Sequence, residues 1–114
     1  MNQLINDTIN SFNEYVKIIP GGTLEISKFL REENLPLALQ SIKDFTEGVI
    51  WLTDVKEALG KSGVEVELEL ESIHDFLIEI NEGLEIQDFI LVADIFEYEI
   101  ATFFKDVAEI QTVC

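Results

Sequence analysis

The only histidine of the chain, His74, follows Glu71 by three residues. This Glu-x-x-His spacing places two metal ligands on one face of a helix, and a di-iron site in a helical bundle uses the pair twice, with two further glutamates. Because no second histidine exists to complete such a site, we expect no metal and no cofactor. A metal- or small-molecule-binding bundle centred on His74 remains a second alternative.

Nucleophilic chemistry finds equally little support. The single cysteine, Cys114, is the last residue of the sequence and has no evident base. The serines lack a nucleophile-elbow context, and the glycines of PGG (20–22) and GKSG (60–63) do not match phosphate-binding loops. We expect no enzymatic activity.

Three carboxylates crowd into the segment DIFEYE (94–99), inside one of the most apolar parts of the chain. On a helical wheel at about 100° per residue, Asp94 and Glu97 fall in one seam beside the apolar face, and Glu99 falls in the other. The three acids therefore point in different directions, which indicates the solvent-exposed edges of a helix and not a catalytic site.

The apolar residues of the chain recur at helical spacing. A first helix is predicted over residues 3–33. Pro20 and the two following glycines predict that it is broken or kinked near Pro20, with Thr23 capping the continuation. A second helix is predicted from the cap Asn34, with Pro36 in its first turn, to the GKSG segment.

The segment VEVELELE (64–71) alternates strictly, as strands do, but the chain offers no second strand to pair with it. We therefore predict an extended lead-in over Val64 to Glu67, a third helix from about Leu68, and a fourth helix from Gln87 to Gln111. Short connectors favour antiparallel neighbours. The predicted fold is all-α, a single domain (1–114) forming an up-down antiparallel four-helix bundle.

The predicted fourth helix is apolar on two sides. Its broad core face comprises Phe89, Val92, Ala93, Phe96, Ile100, Phe103, Phe104, Val107 and Ile110. A second line lies opposite and comprises Leu91, Ile95, Tyr98 and Thr102. A helix with two apolar sides is either buried twice or exposes a surface for a partner. We expect this line, with Trp51 of the second helix, to bind a partner and to stay outside the core of its own bundle.

In this interpretation Asp94 and Glu97 form part of a polar rim around the partner surface. The alternative left open is that a bent first helix wraps over the line.

The chain carries 23 acidic and 7 basic residues, a formal net charge of -16, yet 47% of its residues are hydrophobic, which argues against disorder. The negative electrostatic field of such a charge repels nucleic acids and anionic membranes and attracts basic partners. The longest apolar run has five residues (89–93), the amino terminus lacks a signal-peptide pattern, and one cysteine suits a reducing compartment. We therefore expect a cytoplasmic protein that binds neither nucleic acid nor membrane.

Two segments, EGVIWL (47–52) and LVADIFEYEI (91–100), resemble motifs of a family of small, acidic, all-helical bacterial proteins of unknown function. The resemblance extends from about Leu4 to Glu109 and implies a helical bundle from a bacterial cytosol. In size, acidity and helicity the chain is also similar to the chaperones of flagellar and type III export.

The sequence thus predicts a non-enzymatic protein-interaction module, of the adaptor or export-chaperone kind. Its partner would be a second copy of itself or an amphipathic, basic helix. The alternative is an inhibitor or immunity-type protein that presents an acidic face to a basic protein.

Overall fold

A computed structural model describes residues 2–113, and the fold is all-α. The helices are α1 (Asn2–Arg31), α2 (Leu35–Lys61), α3 (Leu70–Glu85), α4 (Phe89–Asp94), a π-helical segment (Ile95–Ile100) and α5 (Ala101–Lys105). The last three follow one another without interruption and form one fourth helix, residues 89–105. Over residues 2–113 the backbone forms no strand, so the predicted four-helix architecture is confirmed.

The helices alternate in direction. The structure measures 48 × 21 × 21 Å, and the 30 residues of α1 span about 45 Å at 1.5 Å per residue, so α1 runs the whole length. Arg31 contacts Asp94, while Asn13 contacts Ile110. The chain after residue 89 therefore runs antiparallel to α1, as predicted.

The predicted break at Pro20 is wrong, because α1 is helical through Pro20 and both following glycines; a kink at this position stays a prediction. Thr23 is not a cap: its side chain is buried, and its hydroxyl donates to the carbonyl oxygen of Pro20 at 2.9 Å. Proline and glycine disfavour helix by about 3 and 1 kcal/mol. Burial of residues such as Ile19 and Ile26 on either side outweighs that cost.

Residues 64–69 are non-helical, as the lead-in prediction requires, and α3 begins at Leu70, slightly later than predicted. Val64, Val66 and Leu68 are buried, while the glutamates between them are exposed. The alternating pattern therefore places one side of an extended segment on the core without a sheet. The Lys56 ammonium donates to the carbonyl oxygen of Val66 at 2.5 Å and satisfies one of its backbone groups.

The predicted carboxyl end of the fourth helix is also wrong, because the helix ends at Lys105 and residues 107–113 are not helical. Val107 and Ile110 still pack against the core, where they are partly buried. Side chains of α1 bind the backbone of this segment, which helical periodicity does not register.

The π-helical segment moves Ile95 into the core. A π-helix closes its hydrogen bonds from residue i to i+5, so each turn holds more residues than an α-helical turn. A wheel drawn at α-helical spacing therefore assigns Ile95 to the outer side, whereas the structure leaves it only 2% exposed beside the fully buried Phe96. The prediction that Ile95 lies outside the core of its own bundle is wrong.

Candidate functional site

The structure does not unite the residues predicted to bind a partner. Leu91, Tyr98 and Thr102 are exposed on the fourth helix, with Leu91 at 43% and Tyr98 at 64% exposure, but Ile95 is inside. Trp51 packs edge-on against Tyr15 of α1, with ring centroids 5.8 Å apart. The exposed members therefore form separate surfaces, and their role in binding stays a prediction.

Asp94 and Glu97, the predicted rim acids, are paired within the chain. An Arg31 guanidinium nitrogen lies 2.7 Å from a carboxylate oxygen of Asp94 and 3.3 Å from one of Glu97. The hydroxyl of Ser27, itself buried, donates to the same Glu97 oxygen at 3.2 Å. Both acids therefore connect the fourth helix to α1.

Hydrogen bonding alters the acidity of two neighbouring groups in this cluster. The pKa of Glu97 lies below its usual value, first because the Tyr98 hydroxyl donates to its carboxylate, and further because Ser27 and Arg31 favour the ionised form. The same contact raises the pKa of Tyr98, since Glu97 accepts its proton in a hydrogen bond and repels the phenolate. Glu97 is thus held as a carboxylate at neutral pH.

An open groove lies on the surface between α1 and α2. It measures about 270 Å³, is open to solvent, and is lined by Tyr15, Ile18, Ile19, Gly22, Thr23, Glu25, Ile26, Ser41, Asp44 and Phe45. Gly22 and Ser41 carry little side-chain volume, and a Cβ added to Gly22 would meet no atom within 4 Å. Ile18 is 65% exposed at this groove. Its apolar lining is therefore accessible to a partner.

The local sequence explains the aromatic side of the groove. Tyr15 lies directly over Gly48 of α2, where any Cβ would collide with its ring and hydroxyl. Its pKa is raised, chiefly by burial and then by the charge of Asp44. Glu25 and Asp44 both line the groove, so its apolar surface is flanked by negative charge.

A second face of α1 holds the carboxyl-terminal part of the chain. Its polar residues are Asn6, Asn13, Ser27 and Arg31, here called the polar seam. The first three are separated by multiples of seven residues, so they share one side of the helix, and Arg31 follows one turn later. Ser27 and Arg31 bind the fourth helix as described above, and the two asparagines bind the segment that follows it.

Each asparagine forms a pair of hydrogen bonds with a single residue. The Asn13 amide donates to the carbonyl oxygen of Ile110 and accepts from its N–H, both at 2.9 Å. Asn6 makes the same two contacts with Val113, both at 2.8 Å. Asn13 is buried and Asn6 partly buried. The side-chain amides therefore take the place of a neighbouring strand.

The spacing along the helix explains why the bound segment is extended. Seven residues of α-helix between Asn6 and Asn13 span about 10.5 Å. Three residues between Ile110 and Val113 span about 10 Å only if the chain is nearly fully extended. The two asparagines are thus in register with every third residue of an extended chain.

Sequence reasoning missed the polar seam because it followed the apolar residues of α1 and made no assignment for the polar ones. The available signal was the heptad spacing of Asn6, Asn13 and Ser27 directly beside those apolar residues. Their partners lie 70 to 107 residues away in sequence, which no local pattern reveals.

Glu71 and His74 are both exposed on α3. Within residues 2–113, no three histidine, cysteine, aspartate or glutamate side chains are arranged to hold a metal ion. Cys114 lies outside the described residues. In that same part of the chain, none of the helices combines the length and the apolar character needed to cross a membrane.

Comparison with known proteins places these surfaces in a family. The family model described as "Domain of unknown function (DUF8042)" matches residues 7–110. The chain belongs to this family. The match confirms the expected relation to an uncharacterised family. That the members of this family are bacterial and acidic stays a prediction. No curated protein and no solved structure matches the chain. The DUF8042 region includes the α1–α2 groove, Asn13 and Ile110, whereas Asn6 and Val113 lie outside it.

Proposed function

We propose that this DUF8042 member is a non-enzymatic interaction module that binds an amphipathic, basic helix of another protein in the groove between α1 and α2. The observation that carries the proposal is the groove itself. Ile18 is exposed along it, Gly22 leaves room beside Ile18, and Tyr15 of α1, which lines the groove, packs edge-on against Trp51 of α2.

The shape of the groove suits a row of side chains. Pockets for small ligands enclose about 300–1,000 Å³ and cover most of the ligand, whereas this groove is smaller and open. A helix laid in a groove presents apolar side chains at positions i, i+3, i+4 and i+7 along one face. An open depression between two antiparallel helices can accept such a row.

The charge around the groove selects the kind of helix. Glu25 and Asp44 line it, and the whole chain has a net charge of -16. Lysine or arginine flanking the apolar face of the partner would complement these acids and speed association. A second copy of the chain carries the same negative charge and is disfavoured as the occupant. The adaptor or export-chaperone role is the concrete form of this proposal.

Trp51 provides a direct test, because it is the only tryptophan in the chain and is 38% exposed. A helical peptide of leucine and lysine, with an apolar stripe on one face, is titrated into the protein. We expect a saturable blue shift of the Trp51 emission, and no shift with a matched leucine and glutamate peptide.

Gly22→Phe separates binding in the groove from general attraction, because the new ring enters the groove. Gly21→Phe is the matched control: Gly21 also has open space around it but does not line the groove. We expect Gly22→Phe to weaken binding at least about tenfold, equivalent to 1.4 kcal/mol, and Gly21→Phe to leave it nearly unchanged. Equal affinity of the two variants would contradict the proposal.

The main alternative is that the peptide binds an acidic surface on α3 and not the groove. The carboxylate of Glu79, exposed on α3, has a raised pKa, first because of partial desolvation and then because of Glu99, Asp75 and Glu82. If the lysine-rich peptide bound this face, Glu79→Gln would weaken binding and Gly22→Phe would not. That outcome would favour an inhibitor that blocks a basic protein.

A further inference from the structure

The two asparagines of the polar seam recognise backbone and ignore side-chain identity. Each binds the N–H and the carbonyl oxygen of one residue, groups that every residue except proline carries. The requirement on the bound segment is therefore an extended conformation. Apolar side chains supply the rest of the fit, because Val107, Ile110 and Val113, three residues apart, are the ones packed against the core.

Residues 107–113, here called the tail, are joined to the rest of the chain by hydrogen bonds and by apolar packing. The four hydrogen bonds from Asn6 and Asn13 are joined by three partly buried side chains, whereas Ala108, Glu109, Gln111 and Thr112 are exposed.

The sequence of the tail is also compatible with a helix. Its apolar residues continue the helical spacing of Phe103 and Phe104, and no glycine or proline follows Gly83. A tail that leaves α1 can therefore extend the fourth helix and leave both asparagines free.

We propose that the face of α1 bearing Asn6 and Asn13 is a binding site for an extended segment of another protein, which the tail occupies until that segment displaces it. The incoming segment carries an apolar side chain at every third position. Uncharged or basic residues lie between, because the chain has a net charge of -16. The observed fit of Val107, Ile110 and Val113 defines this pattern.

This second site is independent of the proposed helix-binding groove. At about 100° per residue, Asn13 lies roughly 140° around α1 from Ile18, so the two faces can be occupied separately. The partners also differ in conformation, since the groove accepts a helix and the asparagines accept an extended chain.

Competition with the tail determines how the site behaves in solution. The tail is covalently attached, so its effective concentration is high, and a segment added in trans binds only to the fraction of molecules whose tail has left. Weakening the tail while keeping the asparagines should therefore strengthen binding in trans. This opposite effect of tail and seam substitutions is expected if the tail leaves α1 while the rest of the protein stays folded.

The probe is a fluorescent peptide with the sequence of residues 106–113, added to the full-length protein at an ionic strength that screens repulsion. Fluorescence anisotropy reports its binding. In the protein, Val113→Asp weakens the last contact of the tail and leaves both asparagines in place. We expect this variant to bind the peptide at least about tenfold more tightly than the wild type, because the competent fraction rises.

Adding Asn13→Ala to Val113→Asp should abolish the gain, because the peptide then loses its paired hydrogen bonds. Asn10→Ala is the matched control, since Asn10 is an exposed asparagine on the same helix, and it should leave the gain intact. Circular dichroism confirms that each variant is folded. Ile110→Asp, a stronger disruption of the tail, should raise the affinity further.

The proposal is overturned if the folded tail variants bind the peptide no more tightly than the wild type. It is equally overturned if the gain survives the loss of Asn13. Nuclear magnetic resonance of the labelled wild-type protein provides a second measurement without a variant. Saturating peptide should remove the exchange protection of the Ile110 and Val113 amides, and persistent protection at saturation would contradict displacement.

Discussion

The two ends of the molecule are closed in different ways. At the end with connectors 32–34 and 86–88, α1 and α2 pack with α3 and the fourth helix; we call this the four-helix half. The other end is not reached by α3 or the fourth helix. There the extended segments 64–69 and 107–113 lie beside α1 and α2, and we call this the two-helix half.

The difference follows from where backbone hydrogen bonds are satisfied. A helix satisfies its own N–H and carbonyl groups, so the backbone of the four-helix half needs no external partner. Its helices are joined by side chains, through apolar contacts such as the edge-to-face packing of Phe45 on Phe96, 5.3 Å between ring centroids, and through the contacts of Arg31. An extended segment needs external partners. Lys56 supplies one for Val66, and the two asparagines supply four for the tail. The two-helix half is consequently held by specific polar side chains.

The largest expected effect is in the aromatic core of the four-helix half. Phe96 is fully buried, so Phe96→Ala should lower the free energy of unfolding by about 3–5 kcal/mol. Val107→Ala in the two-helix half removes a partly buried side chain and should cost less than about 1.5 kcal/mol. Urea denaturation measures both, and comparable losses would contradict the contrast between the halves.

The next effect concerns the polar side chains of the two-helix half. Asn13→Ala removes both hydrogen bonds to Ile110 and should cost about 1–3 kcal/mol, because the N–H and carbonyl of Ile110 lose their partner. Asn10→Ala should change stability by less than about 0.5 kcal/mol. Hydrogen exchange should show faster exchange at the Ile110 amide in the Asn13 variant alone. Unaltered exchange there would mean that Asn13 does not hold the tail.

A smaller effect depends on pH and belongs to the four-helix half. Folding lowers the pKa of Glu97 below its usual value of 4.5. The stabilisation that ionised Glu97 gives to the folded protein is therefore complete above the usual pKa. It disappears as the pH falls through the lower pKa of the folded state. Glu97→Gln should melt at a lower temperature than the wild type at pH 7, and the difference should shrink on acidification below about 4.5.

The control for this prediction is Glu71→Gln, which replaces an exposed glutamate of α3. A difference between wild type and Glu97→Gln that stayed constant down to strongly acidic pH would show that the ionised carboxylate is not the stabilising species.

The smallest expected effect has the opposite sign. Folding raises the pKa of Glu79, first by partial desolvation and then by Glu99, Asp75 and Glu82, so its ionised form destabilises the protein above the raised pKa. Glu79→Gln should stabilise the protein at pH 7 by about 0.2–0.5 kcal/mol, the magnitude of like-charge pairs on a helix. The gain should vanish at a pH where Glu79 is protonated in both states. Thermal melts at two pH values test this, and a loss of stability at pH 7 would contradict it.

Helical periodicity predicted what depends on local pattern. It located the four helices, their antiparallel order and the extended lead-in, because the buried Val64, Val66 and Leu68 alternate while the helical stripes repeat every three or four residues. Residue propensity predicted a break at Pro20 and failed there, because packing on both sides outweighs it.

The other two failures concern the fourth helix and the segment that follows it. Ile95 lies in a π-helical segment whose turn differs from the assumed one. The stretch from Val107 to Ile110 keeps helical apolar spacing, but the side chain of Asn13, 97 residues earlier, binds its backbone in an extended form. The groove escaped prediction because Gly22 and Ser41 are notable only once α1 and α2 are adjacent.

The central claim is that the tail is an extended segment held by side-chain amides of α1, and one measurement tests it directly. Nuclear magnetic resonance of the labelled wild-type protein gives the secondary chemical shifts and amide exchange rates of residues 106–113. We predict extended shifts, with slow exchange at Ile110 and Val113 and fast exchange at Glu109, Gln111 and Thr112. Helical shifts continuing through Gln111 would contradict the account.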